Sequence, residues 1–167
     1  MSVSAILRAA TGDAHAAVDA AYGRFDLTDR AGYAGFLTAH ARVLPPIERA
    51  LASYPALPAF DPRSDALGDD LARIGAAWPD PLPVSITDEA AAWGIFYVVE
   101  GSRLGGVMLA RSVPADLPVA YLSAAHTRGG WRGIRAAIDA APSGDGWTDR
   151  AVAAARECFA WYGRAAD

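Results

Sequence analysis

The residue pattern predicts helices almost everywhere in this chain. Strand-like alternation of β-branched residues is nearly absent, whereas alanine, the best helix former, is abundant. Six helices are predicted, at about 3–21, 29–53, 64–77, 88–111, 119–140 and 148–165. Pro45 and Pro46 should kink or break the second helix, and Gly129 and Gly130 should interrupt the fifth. The predicted fold is therefore all-α: a compact, single domain of several helices over residues 1–167.

Length, charge and cysteine content exclude several classes of protein. The 167 residues correspond to the length of one domain. The formal net charge is −4, and no run of Lys and Arg forms a phosphate-binding stripe, so nucleic acid is not an expected partner. The single cysteine, Cys158, can form neither an intrachain disulfide nor a multi-cysteine metal site.

Charged residues interrupt the two segments that could enter a membrane. Arg8 and Asp13 lie where a signal peptide would need an unbroken apolar stretch. Glu100 and Arg103 interrupt the apolar stretch 90–110, which makes it a poor membrane span. We therefore expect a cytoplasmic protein with no membrane partner.

The fourth predicted helix contains an unusual number of glycines. Residues 97–111 read YVVEGSRLGGVMLAR, and each glycine inside a helix costs about 1 kcal/mol relative to alanine. Five residues recur at spacings of three and four and so share a face: Gly94, Tyr97, Gly101, Gly105 and Met108. Two hypotheses explain this face. Either it forms a tight helix–helix crossing, or a large, flat and mostly apolar ligand lies against the bare backbone.

His15 is the candidate metal ligand. Asp19 lies one helical turn after it and could orient its Nδ1–H, leaving Nε2 free to bind a metal. Arg8 lies two turns before it on the same side. The alternative is a surface or capping histidine.

The other two histidines and the acid of the fourth helix have structural interpretations. His40 lies in the apolar run FLTAHARVL, which indicates a core histidine whose polar atoms are satisfied. His126 lies in SAAHTRGGW, where we expect it to be solvated. Glu100 is expected to form a structural ion pair.

Two segments taken together resemble heme oxygenases. LRAATGDAH matches the family's first-helix pattern, Leu-Arg/Lys-x-x-Thr-x-x-x-His, at Leu7, Arg8, Thr11 and His15. YVVEGSRLGG matches the tyrosine and the G-S-x-L-G-G/A motif of the bacterial distal helix. Two further segments resemble the forms found beside bacterial phytochromes: FLTAHARVLPPIE and PRSDALGDDLARIG. The resemblance spans nearly the whole chain.

This resemblance implies that heme is both cofactor and substrate. The reaction would cleave heme with O2 and external electrons to biliverdin, carbon monoxide and ferrous iron. His15 would be the iron ligand. Arg8 would bind a heme propionate, as would a basic residue of the fifth helix, with Arg132 the first choice and Arg135 the second.

The same resemblance assigns the rest of the pocket. Tyr97 would border the heme edge, and Phe159 would form a wall. The kinked helix with Gly101, Gly105 and Gly106 would cover the distal face, where Gly101, Ser102 and Gly105 would be the catalytic positions. Some members have an aspartate in place of Ser102 that organises water, and a serine cannot act as an anionic acceptor at neutral pH.

The implied partners are an electron donor, either ferredoxin or another reductant, and a bacteriophytochrome that accepts biliverdin. Two other functions remain open from sequence. One is a protein of the same fold that binds or carries heme without turnover. The other is a helical protein without heme whose glycines serve only helix packing.

Overall fold

The computed structural model describes residues 1–126, 129–141 and 144–167. Within those residues the chain forms seven α-helices, one short 3-10 helix at Ala110–Ser112 and no strand, which confirms the all-α prediction. The α-helices are α1 (Val3–Ala10), α2 (Gly12–Tyr22), α3 (Arg30–Leu51), α4 (Ser64–Ile74), α5 (Glu89–Leu109), α6 (Gly130–Asp139) and α7 (Trp147–Ala166). None of these helices is long and apolar enough to cross a membrane.

Side-chain caps fix where the two longest helices begin. Asp29 accepts a hydrogen bond from the backbone N–H of Gly32 at 3.0 Å, and Asp88 accepts one from Ala91 at 2.8 Å. Each aspartate satisfies an N–H that has no partner inside the helix. The predicted starts of the second and fourth helices are therefore confirmed as the starts of α3 and α5.

The first predicted helix is in fact two helices that meet at Thr11. The Thr11 hydroxyl donates to the Leu7 carbonyl at 2.8 Å, and its backbone leaves the helical region at φ −107° and ψ 2°. A threonine hydroxyl competes with the backbone for such carbonyls, which favours a helix end at this position. As a result, Arg8 and His15 lie on successive helices rather than on one continuous face.

The proline pair does not break α3, so that part of the prediction is wrong. The helix runs continuously from Arg30 to Leu51 through Pro45 and Pro46. Pro45 is buried, as are its neighbours Leu44 and Ile47, and α3 packs on both α4 and α7. Tertiary packing outweighs the cost of the missing backbone hydrogen bonds.

The fifth predicted helix is shorter than expected. Only Gly130–Asp139 forms α6, and residues 119–125 form turns or irregular structure. Gly129 and Gly130 have φ of +68° and +61°, in the left-handed region that glycine adopts at least cost. The pair therefore marks the start of α6 rather than an interruption within a longer helix, so that part of the prediction is wrong.

α5 packs along α7 and also contacts α3 and α6. The largest buried side chains, which include Phe96 and Ile95 of α5 and Leu44 of α3, belong to one hydrophobic core. This packing fixes the position of α5, the helix with the glycine-rich face.

Candidate functional site

His15 lies on the exposed side of α2 and is paired with Asp19. Its Nδ1 lies 3.0 Å from Asp19 Oδ2, and 62% of the side chain is exposed. The imidazole also packs edge-on against Phe159 of α7, with ring centroids 5.6 Å apart. With Nδ1–H directed at the carboxylate, Nε2 is the ring nitrogen that can ligate a metal. The structure thus brings the predicted metal ligand and the predicted wall residue together.

The glycines of α5 divide into two groups when a Cβ is placed on each. A Cβ at Gly94 would lie 2.0 Å from the carbonyl oxygen of Ala151, and one at Gly106 would lie 3.0 Å from that of Leu122. These two glycines therefore allow close packing between backbones. Gly106, an expected member of the pocket, has its bare side against the chain rather than against open space.

The remaining two glycines of this face present bare backbone away from the core. Among the residues that the structure describes, a Cβ at Gly105 would meet no atom within 4 Å beyond its own stretch of helix, whereas one at Gly101 would lie 3.3 Å from the indole of Trp131. The surface of α5 is thus open at Gly105 and covered by one aromatic ring at Gly101. The helix-crossing hypothesis is confirmed for Gly94 and Gly106, whereas the open backbone at Gly105 leaves room for a ligand.

Positive charges gather around Tyr97, which is half-buried on α5. Burial raises the pKa of the Tyr97 phenol, and the charges of Arg8 and Arg135 oppose that rise because both lie close to it. Arg135 Nε also lies 3.5 Å from the Ser4 hydroxyl of α1. The structure therefore brings the charges of Arg8 and Arg135 close to Tyr97 of α5.

Arg132 lies elsewhere on α6. The buried face of that helix is defined by Ile134 and Ile138. Successive residues of a helix are turned by about 100°, so Arg132 points well away from this face while Arg135 lies at its margin. Of the two arginines considered from sequence, the second choice, Arg135, is the one beside Tyr97.

The Ser102 hydroxyl is already engaged by the protein. It donates to the Val99 carbonyl at 2.6 Å and accepts from Arg63 Nη2 at 2.8 Å. Arg63 is 3% exposed and also donates to the Val99 carbonyl at 3.0 Å. Because a hydroxyl has one proton and two lone pairs, Ser102 can still accept a hydrogen bond from water but has no proton left to donate.

His40 is a core histidine, as predicted. Its Nδ1 lies 3.1 Å from the Phe36 carbonyl, to which it donates, and its ring packs against Tyr22, Tyr121 and Tyr162. Desolvation lowers the His40 pKa to about 3. The imidazole is therefore neutral at physiological pH.

The prediction that His126 is solvated is wrong. Its side chain is 8% exposed, and Nε2 donates to the Glu100 carbonyl at 2.8 Å. The expected Glu100 ion pair is confirmed, since Arg103 Nε lies 3.1 Å from both carboxylate oxygens. Arg103 also donates to the Ala124 carbonyl and so draws the segment before His126 onto α5.

Two residues of the site were missed from sequence: Arg63 and Trp131. Arg63 is separated from Ser102 by 39 residues, and no local pattern connects them. The centroid of the Trp131 ring lies 5.5 Å from that of the Tyr97 ring and 6.0 Å from that of the His126 ring. Its spacing of three and seven residues from Ile134 and Ile138 is the signal that could have placed it on the buried face of α6.

Comparison with known proteins identifies the family. No protein-family model matches the chain. However, a heme oxygenase of Xanthomonas campestris pv. campestris (strain 8004) is 30% identical over 141 residues, which cover 78% of this chain and 86% of that protein. The chain therefore belongs to the heme oxygenase family.

Solved structures agree on the fold. The NO- and CO-bound heme oxygenase from Neisseria meningitidis aligns with a TM-score of 0.85 at 21% identity, covering 99% of this chain and 90% of that one. Heme oxygenase from Leptospira interrogans aligns with a TM-score of 0.75 at 19% identity, covering 99% and 98%. The heme oxygenase-like fold expected from the sequence is thus confirmed.

Proposed function

We propose that the chain is a heme oxygenase that cleaves heme to biliverdin, carbon monoxide and ferrous iron, using O2 and external electrons. Membership of the heme oxygenase family carries this proposal. The site supports it with residues suited to hold heme. The alternative of a heme carrier without turnover is not favoured, since the named relatives are oxygenases.

The residues of the site fit heme in three respects. The iron needs a ligand, and His15 offers Nε2 while Asp19 holds Nδ1. The porphyrin needs a flat surface, and the open backbone at Gly105 provides one without a side chain. The two propionates need cations, and Arg8 and Arg135 both lie beside Tyr97.

Each side chain then has a defined task. His15 binds the iron, and Asp19 fixes the orientation of its ring. Arg8 and Arg135 anchor the propionates, and Phe159 packs against the edge of the His15 ring. When bound, heme supplies the redox-active iron and is itself the molecule that is oxidised.

The distal side depends on Gly105 and Ser102. Gly105 permits close approach of the helix backbone, whereas a side chain there would push the macrocycle away. Ser102 orients water as a hydrogen-bond acceptor, because its own proton is held by Val99. Arg63 fixes the Ser102 hydroxyl in that role. Protons for the reaction therefore come from water rather than from Ser102.

The electron donor is required by the reaction, whereas the bacteriophytochrome partner is proposed from the resemblance of two segments to forms found beside bacterial phytochromes. Electrons come from ferredoxin or another reductant, and the biliverdin is accepted by a bacteriophytochrome. The proposed compartment is the cytoplasm, where reduced electron donors are present.

Anaerobic titration with ferric heme, followed by addition of O2 and a reductant, tests the proposed function. We expect a Soret band that saturates at one heme per chain and then decays as biliverdin accumulates. Saturable binding without loss of the Soret band would indicate a heme carrier. Absence of saturable binding would contradict the proposed function.

A further inference from the structure

Trp131 covers one end of the bare surface on α5 and leaves the other end open. Its indole lies 3.3 Å from the position of a Cβ on Gly101, whereas no atom of the described residues outside the adjoining helix backbone lies within 4 Å of the corresponding position on Gly105. Gly101 and Gly105 are one helical turn apart, about 6 Å along the axis. A flat molecule lying on Gly105 therefore meets the indole at one edge.

The indole is held from several sides. The centroids of the Tyr97 and His126 rings lie 5.5 Å and 6.0 Å from the centroid of the Trp131 ring. His126 is itself fixed by its hydrogen bond to the Glu100 carbonyl. The left-handed glycine pair that begins α6 places Trp131 within the first turn of that helix. The buried Ile134 then fixes the rotation of α6 about its axis. The orientation of the Trp131 side chain is therefore restricted by its neighbours.

We propose that Trp131 is a specificity-determining residue for ring opening. Its indole limits how far the macrocycle extends along α5 toward Tyr97, and so decides which meso edge lies beside the backbone at Gly105. This inference rests on the proposed function and extends it, because it names the residue that selects the meso carbon. An aromatic ring suits this task, since its rigid face and edge both pack well against a planar ring system.

The test compares the Trp131→Ala and Trp131→Phe variants with the parent. The measurement is the ratio of biliverdin isomers, separated by chromatography after turnover. Loss of one aromatic contact should change that ratio roughly 2- to 10-fold in Trp131→Ala, with a smaller change in Trp131→Phe. The matched control is Trp78→Phe, because Trp78 is 52% exposed and its indole packs on Gly68 of α4. The control should leave the ratio unchanged.

A second measurement needs no turnover. The proton NMR shifts of the heme methyl groups in the cyanide-inhibited ferric complex report how the macrocycle is rotated about the iron–histidine bond. The pattern should change in both Trp131 variants and remain that of the parent in Trp78→Phe. If Trp131→Ala does not fold, the pattern and isomer ratio of Trp131→Phe decide the matter.

Two results would overturn the inference. One is an unchanged isomer ratio in Trp131 variants that bind and open heme. The other is an unchanged methyl pattern in the same variants. Failure of the parent itself to bind or open heme would instead overturn the proposed function, and the two failures are therefore distinguishable.

Discussion

The backbone of Gly94 packs so closely on Ala151 that a Cβ would lie 2.0 Å from its carbonyl oxygen. Three turns further along α5, a Cβ on Gly105 would have no neighbour within 4 Å from another part of the described chain. Glycines within one helix therefore serve two purposes: Gly94 joins α5 to α7, and Gly105 leaves a surface bare.

Alanine at these two positions should have opposite effects on the apo protein. Gly94→Ala should lower the free energy of unfolding by about 1–3 kcal/mol or more, because backbone atoms must move apart. Gly105→Ala should raise it by up to about 1 kcal/mol, since alanine favours the helix more than glycine does. Thermal melts of the two apo variants check both effects. Marked destabilisation by Gly105→Ala would show that its surface packs against protein.

Removal of a positive charge beside Tyr97 should weaken heme binding. Arg8→Ala and Arg135→Ala should each raise the dissociation constant for heme, and more at low salt than at high salt because salt screens exposed charges. Arg132→Ala is the control on the same helix and should have a smaller effect. Titrations at two ionic strengths measure this. A larger loss of heme affinity in Arg132→Ala than in Arg135→Ala would favour Arg132, the first choice from sequence, as the residue that binds a propionate.

His40 should make the fold sensitive to acid. Its pKa is about 3 in the folded chain against an ordinary value of 6.5, so the unfolded chain binds the extra proton between these limits. Because protonation of His40 then favours the unfolded chain, the free energy of unfolding is highest above pH 6.5. It falls as the pH decreases toward 3, by at most about 1.4 kcal/mol per pH unit. His40→Phe should flatten the dependence of the melting temperature on pH in this window. His15→Gln, at an exposed position, is the control; an equal flattening there would contradict the assignment.

Ser102→Ala should impair both stability and turnover. The buried Arg63 would lose one acceptor, which costs about 1–3 kcal/mol when no water replaces it. Heme affinity should remain close to that of the parent, while the rate of Soret decay under reductant should fall, since the proposed acceptor for water is gone. Stopped-flow absorption measures that rate. Full activity in this variant would exclude Ser102 from the reaction.

Local chemistry made several features predictable from sequence. Asp29 and Asp88 cap their helices through hydrogen bonds to residues only three positions further along the chain. The starts of α3 and α5 could therefore be predicted from the sequence. The pairing of His15 with Asp19 spans a single helical turn and could likewise be predicted from the sequence. In each case both partners lie within one short segment of the sequence.

Other features depend on contacts between distant segments. The packing role of Gly94 is set by Ala151, and the hydroxyl of Ser102 is held by Arg63. The burial of His126 follows from its hydrogen bond to Glu100, 26 residues away. Spacing along one helix cannot show which side of it meets another helix, so the five residues assigned to one face proved to have different surroundings.

The proposed ligation of the heme iron by His15 is the central claim, and the spectra of the bound heme test it most directly. The ferric heme complex of the parent should show the absorption and electron paramagnetic resonance spectra of histidine-ligated iron, and His15→Ala should lose them. Added imidazole should restore those spectra in the variant by occupying the vacated position. A histidine-ligated spectrum that persists in His15→Ala would contradict the account and move the ligand to His40 or His126.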